Sequence, residues 1–185
     1  MLLDLPLKIS RTPPDPYGLH QMVYAALLPR GSDEPRDFLF ATFPPVFGKS
    51  LVLVRSARFP DRLRPHAIPV DPPANGQRRS FALVASPMVS TRGPRRKVPL
   101  CPHDPAAHVR WLERKGRRHG FDLIDASVSV STSSVRCERK GRRFRIVRAE
   151  FSGELVVTDE HKLASALANG IGRNRGLGNG LLYWT

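Results

Sequence analysis

No apolar run in this chain is long, so any core must be assembled from many short elements. Eighteen prolines stand among 185 residues, about twice the ordinary share, and a proline inside a helix or a central strand removes a hydrogen bond the element needs. Apolar alternation predicts strands over 2–9, 37–43, 51–56 and 80–85, and a 3.6-residue period predicts a helix over 15–28. Prolines crowd 60–73, which reads as an irregular connection. Beyond a second Pro/Arg-rich passage the pattern predicts a helix over 104–119, strand material at 121–130 and 144–157, a helix over 158–169 and a last strand at 181–184. That order fits an α+β chain of two small antiparallel-sheet domains, 1–90 and 91–185, joined within 86–100. With 41% apolar residues the chain can bury a core for each.

No stretch approaches the roughly 18 apolar residues of a membrane span, and the opening segment carries Asp4 and Pro6 in place of a basic signal start. Cys101 and Cys137 are the only cysteines, too few for a disulfide framework, so a cytoplasmic setting is expected. Cys101, His103 and His108 match no common zinc spacing, and neither a metal nor a cofactor is expected.

Charge narrows the function. The net charge is +14, which repels itself on so small a body unless an anionic partner neutralises it. Residues 92–185 hold 19 basic and 9 acidic side chains. The basic residues there form clusters at Arg92, Arg95, Arg96 and Lys97, along the predicted helix at Arg110, Arg114, Arg117 and Arg118, and around Arg139, Lys140, Arg142, Arg143 and Arg145. On the helix the four arginines share about a third of the circumference, opposite Val109, Leu112 and Gly116. Gly141 lies between flanks that can pair, so 138–143 reads as a hairpin tip loaded with guanidinium groups. Aromatic residues are sparse among these charges, which favours a duplex or hairpin stem over stacked single-stranded bases.

The run Gly170 to Gly180 follows a helix and enters a strand, the reverse of a dinucleotide-binding loop. Its backbone N–H groups, with Arg173 and Arg175, can form an anion-binding nest, or the glycines can simply end the helix and make a tight crossing. The first helix opens on Asp15-Pro16, a cap acceptor followed by the residue best tolerated at the first helical position. Leu19, Met22, Val23 and Ala26 fall on one side for burial; Tyr17, His20 and Tyr24 fall on another, which is expected to project away from the core. RNA carries its own nucleophile in the 2′-hydroxyl, so cleavage needs proton transfer and in-line alignment but no metal. Histidine, which ordinarily titrates near pH 6.5, suits the transfer. Tyr17 can hold the 2′-hydroxyl or a phosphate oxygen while basic side chains stabilise charge on phosphorus.

Asp15-Pro-Tyr-Gly-Leu-His-Gln21, Arg36-Asp-Phe-Leu-Phe40, Lys97-Val-Pro-Leu100, Trp111-Leu-Glu-Arg-Lys115, Phe151-Ser-Gly-Glu-Leu155, Gly170-Ile-Gly172 and Gly178-Asn-Gly-Leu-Leu182 occur in the order seen in the CasE family, the CRISPR repeat-RNA endoribonucleases of type I-E systems. The chain resembles that family over nearly its whole length. The resemblance implies two tandem ferredoxin-like domains and metal-independent cleavage at the base of the repeat hairpin, leaving a 2′,3′-cyclic phosphate and a 5′-hydroxyl. It also implies retention on the 3′ hairpin of the guide RNA within a multisubunit surveillance complex. By motif position His20 takes the catalytic role and Tyr17 assists, while the basic hairpin and helix grip the stem. The competing reading is a noncatalytic subunit that holds the RNA hairpin in the same basic groove.

Overall fold

The computed structural model describes residues 1–9, 15–28, 37–43, 50–90, 97–124, 127–139 and 141–185. Arg92, Arg95, Arg96 and Lys140 lie outside the described residues.

The first sheet is built from β1 (Leu3–Ile9), β2 (Phe38–Thr42), β3 (Ser50–Ser56) and the two-residue β4 (Ile68–Pro69), in the antiparallel order β2-β3-β1-β4. Alternation decides its faces. Leu3, Leu5, Phe38, Phe40, Val52 and Val54 turn toward α1 (Pro16–Leu27) and bury Leu19, Val23 and Leu27 of that helix, with Phe59 closing the cluster. Each such side chain is worth about 1.5–3 kcal/mol relative to exposure, so this face fixes α1 against the sheet. The helix starts where the sequence predicts: Asp15 Oδ1 accepts from the Gly18 N–H at 2.7 Å and Pro16 takes the first position. Between β3 and β4, Pro60 and Pro65 leave room only for a 3-10 turn at Arg64–His66.

The second sheet takes β5 (Arg78–Ala85), then a small side hairpin of β6 (Met88–Ser90) and β7 (Lys97–Pro99), then α2 (Pro105–His119), β8 (Phe121–Leu123), β9 (Ser129–Arg139), β10 (Arg142–Val157), α3 (Glu160–Asn169) and β11 (Leu182–Trp184). Its order is β11-β5-β10-β8, with β9 paired to Arg142–Ser152 of β10 and β8 to the last three residues. Two interleaved β-α-β units, β5-α2-β8 and β10-α3-β11, make this a ferredoxin-like arrangement. The first sheet has the same strand order, with only one α-helix among its described residues. Both helices pack on one face, where Trp111, Leu112, Leu163 and Leu167 meet Phe81, Phe121, Phe151 and Leu155. At the end of α2, Gly120 adopts φ 81°, and a Cβ there would sit 2.1 Å from the Asp159 carbonyl oxygen, so only glycine lets α2 end beside the start of α3. No helix among the described residues is long and apolar enough to cross a membrane.

The sheets divide the chain differently from the expected 1–90 and 91–185. Because β5 pairs with β10 and β11, the second sheet begins at Arg78 and the changeover lies between Pro69 and Arg78. Within 86–100 the described residues include the antiparallel β6–β7 pair, an excursion within the second unit. The strand material expected at 121–130 is two strands, and β9 runs on to Arg139 through Ser131-Thr-Ser-Ser134, whose polar sequence offers little apolar alternation to read.

Leu39, Ala41 and Leu53, on the face of the first sheet opposite α1, pack against Leu181 and Tyr183 of the second. Arg55 sits in this joint, 1% exposed, with Nε and Nη2 each donating to the Asp4 carboxylate at 2.7 Å and Nη1 donating to the Leu182 carbonyl at 2.6 Å.

Candidate nucleic-acid interface and active site

The β9–β10 hairpin extends beyond the sheet with Arg139 paired to Arg142, so the tip falls at the predicted glycine, where Gly141 has φ 74°. It lies against the start of α1. The Glu138 backbone N–H donates to Asp15 Oδ2 at 2.7 Å, so one carboxylate both caps the helix and anchors the hairpin. The Arg139 guanidinium stands 5.8 Å from the centre of the Tyr17 ring, within cation–π range. Between helix and hairpin opens a cleft of ≈ 960 Å³ lined by Asp15, Tyr17, Gly18 and Gln21 on one side and by Arg136, Cys137, Arg143, Phe144 and Arg145 among the hairpin residues on the other.

His20 lies one turn along α1 from Tyr17, their ring centres 6.0 Å apart and nearly parallel. The face carrying Tyr17, His20 and Tyr24 does not project away from the core as expected. All three are half-buried, and His20 also faces Tyr24, Phe38 and Phe40 at 6.1–6.5 Å. The alternation of β2 explains the difference, since Phe38 and Phe40 point at α1 and a helix period alone cannot reveal which strand side chains will meet it. The imidazole is thereby held in an aromatic cradle beside Tyr17.

The glycine-rich loop supports that cradle from the far side. Gly178, at φ 77°, comes so close to Phe40 that a Cβ would lie 2.9 Å from the ring. Arg148 of β10 ties the same residue down, Nη2 donating to the Gly178 carbonyl at 3.3 Å; burial holds this guanidinium below the ordinary arginine value. Asn174 Nδ2 donates to Ser86 Oγ, and Asn179 Nδ2 to the Asn174 carbonyl. Arg175 turns back to the end of α3, donating to the Asn169 carbonyl, so its guanidinium caps a helix. Arg173 is exposed.

The remaining basic residues form a second surface. Arg110, Arg114, Arg117 and Arg118 are exposed along α2 while His108, Trp111, Leu112 and Gly116 are buried, as the helix period predicts. Burial, with Arg118, Lys97 and Arg114 nearby, holds Lys115 below the usual lysine value, which puts Lys97 and the α2 stripe in one electrostatic neighbourhood. None of these side chains lines the cleft. Arg142 and Arg143 are exposed at the tip, Arg143 paired with Glu138 at 3.0 Å. Of the residues weighed for metal binding, Cys101 and His103 are exposed, and buried His108 has Nε2 within 2.9 Å of the Cys101 carbonyl oxygen. Burial and the nearby Asp15 carboxylate push the Cys137 thiol up, so it is uncharged at neutral pH.

Sequence reasoning passed over Arg136 and Phe144 as site residues. Both follow from hairpin register: with Arg139 opposite Arg142, Arg136 is opposite Arg145 and Phe144 opposite Cys137.

A CRISPR-associated endoribonuclease Cse3 of Thermus thermophilus is 28% identical over 190 residues, covering 91% of this chain and 89% of that protein. A structure of CRISPR endoribonuclease Cse3 bound to a 19-nucleotide RNA superposes with a TM-score of 0.80 at 25% identity, covering all of both chains. A chain of a CRISPR RNA-guided surveillance complex shares the fold at a TM-score of 0.70 and 24% identity, covering 100% of this chain and 99% of that one. The family model described as CRISPR associated protein matches residues 3–184, and the chain therefore belongs to that family of CRISPR-associated proteins.

Proposed function

We propose that this protein is an endoribonuclease that cuts CRISPR precursor RNA at the base of the repeat hairpin and stays on the 3′ hairpin of the mature guide within a multisubunit surveillance complex. The observation that carries this reading is the seating of the arginine-rich hairpin against the start of α1, which brings Tyr17 and several guanidinium groups to one cleft, with the His20 ring 6.0 Å behind that of Tyr17. The first sheet unit supplies proton transfer. The second supplies most of the cationic grip, through Arg139, Arg142 and Arg143 at the hairpin and Lys97, Arg110, Arg114, Arg117 and Arg118 around α2.

In this mechanism the 2′-hydroxyl passes its proton to solvent water as its oxygen attacks the adjacent phosphorus, and the P–O5′ bond breaks. His20, as imidazolium, delivers a proton to the departing 5′-oxygen. The products are a 2′,3′-cyclic phosphate and a 5′-hydroxyl, with no redox change. Tyr17 orients the 2′-hydroxyl or a phosphate oxygen, and Arg139, held over the Tyr17 ring, offsets charge at phosphorus.

The test is to incubate the protein with the repeat transcript of its own CRISPR array in EDTA and identify the product ends. His20→Ala is expected to slow cutting by about 10²–10⁴-fold while hairpin binding stays near wild type. Undiminished cutting by that variant, or cleavage abolished by EDTA, would reject the mechanism; tight binding without cutting by the wild-type protein would instead support a noncatalytic hairpin-binding subunit.

A further inference from the structure

Aromatic residues are sparse along the basic segments, yet folding brings two of them to one cleft. Tyr17 comes from α1 and Phe144 from β10, and both line the space that Arg136, Arg143 and Arg145 surround. Phe144 is unusual for a side chain of its kind. It is 38% exposed and belongs to none of the three buried clusters. A phenylalanine ring with more than a third of its surface open, beside guanidinium groups in a cleft, suits a ligand that is flat and anionic at once. A nucleotide meets that description: its base stacks on a ring and its phosphate pairs with arginine. The stem itself is a poor occupant, because paired bases are stacked on one another and offer no free face. The cleft, at ≈ 960 Å³, has room for a base that has left the helix.

We propose that Phe144 is a stacking platform for one unpaired nucleobase flanking the cut phosphate, with Arg136, Arg143 and Arg145 holding the backbone on either side. The proposal rests on the RNA-cleaving reading above and adds to it a base-binding subsite outside the stem. Seating one nucleotide on Phe144 draws the neighbouring linkage toward Tyr17 and His20, so the platform acts on alignment as well as affinity.

The experiment places 2-aminopurine in turn at each unpaired position beside the cut in the repeat hairpin and follows its fluorescence on binding. Wild-type protein is expected to quench one position, Phe144→Trp to keep the quenching, and Phe144→Leu, which keeps apolar volume without a ring, to lose it. An abasic residue at that position should weaken wild-type binding about fivefold to a hundredfold and leave binding to the leucine variant unchanged. Quenching at no position, or an equal abasic penalty in wild type and Phe144→Leu, overturns the subsite. If wild-type protein binds and cuts the hairpin yet quenches nothing, only the subsite fails; if it neither binds nor cuts, the underlying reading fails with it.

Discussion

Replacing Arg55 by methionine removes a buried ion pair to Asp4 within the first sheet and the bond by which this side chain reaches the second sheet. The guanidinium is 1% exposed and makes two bonds to Asp4 and one to the Leu182 carbonyl, at 2.6–2.7 Å. Methionine fills much of the volume, so the loss is chiefly electrostatic: an orphaned carboxylate and a carbonyl deprived of its donor. Removing one partner of a buried ion pair costs about 3–5 kcal/mol. Asp4 is 18% exposed, so water can reach it, and the cost belongs at the low end, about 3 kcal/mol. In a chain of this length each kcal/mol lowers the melting temperature by about 2–4 °C, giving a drop of about 6–12 °C by circular dichroism. The double variant Arg55→Met with Asp4→Leu removes the stranded charge as well and is expected to recover most of the loss, because an apolar replacement of a whole buried pair is often close to neutral. A single variant within about 1 kcal/mol of wild type, or a double variant no better than the single, would refute the assignment of the Arg55–Asp4 pair as a stabilising buried charge pair at the joint.

Two further outcomes follow from the loop and from α2. Gly178→Ala forces a Cβ toward Phe40 at a positive φ, which costs about 1–2 kcal/mol and shifts the ring against which His20 rests. Cleavage is expected to slow by tenfold or more, on the order of what small misplacements cost, while Gly172→Ala, strained at φ 92° but facing Trp111, loses stability without that catalytic loss; equal rates in the two variants would separate the loop from alignment. Burial, with Lys115 and Arg118 beside it, holds His119 below its ordinary value near 6.5. The folded chain then binds this proton less readily than the unfolded chain, so stability is fullest above about pH 6.5 and declines as pH falls through the lowered folded value. His119→Gln should flatten that part of a melting-temperature profile between about pH 5 and 7, and an unchanged profile would remove His119 as its cause.

The elements that local rules govern were legible in the sequence. Asp15-Pro16 opens α1, Gly141 turns the hairpin, and the four arginines of α2 fall on its solvent side because a 3.6-residue period dictates it. What escaped was set by contacts between distant segments. The aromatic cradle of His20 depends on which way Phe38 and Phe40 point, and the cleft depends on Asp15 meeting the Glu138 N–H across 123 positions of sequence. The glycine loop was ambiguous for the same reason: its special conformations serve close approach to Leu39, Phe40 and Trp111, and no pattern within 170–180 encodes those neighbours. The boundary expected at 90/91 followed composition, and proline density marks an excursion as readily as a joint.

The long β10 has an unequal life along its length. At its far end, Ala149, Phe151 and Leu155 are clamped in the core, while at its near end residues 142–145 are exposed and held to β9 by the backbone ladder and the exposed Arg143–Glu138 pair. A cantilever with a clamped root holds its outline without help from the side chains at its tip, and little entropy remains to be lost when it meets a rigid surface. Residues at that tip are therefore free to change in evolution at small cost to folding, which allows one scaffold to be retuned to a new partner by substitutions confined to the outermost turn.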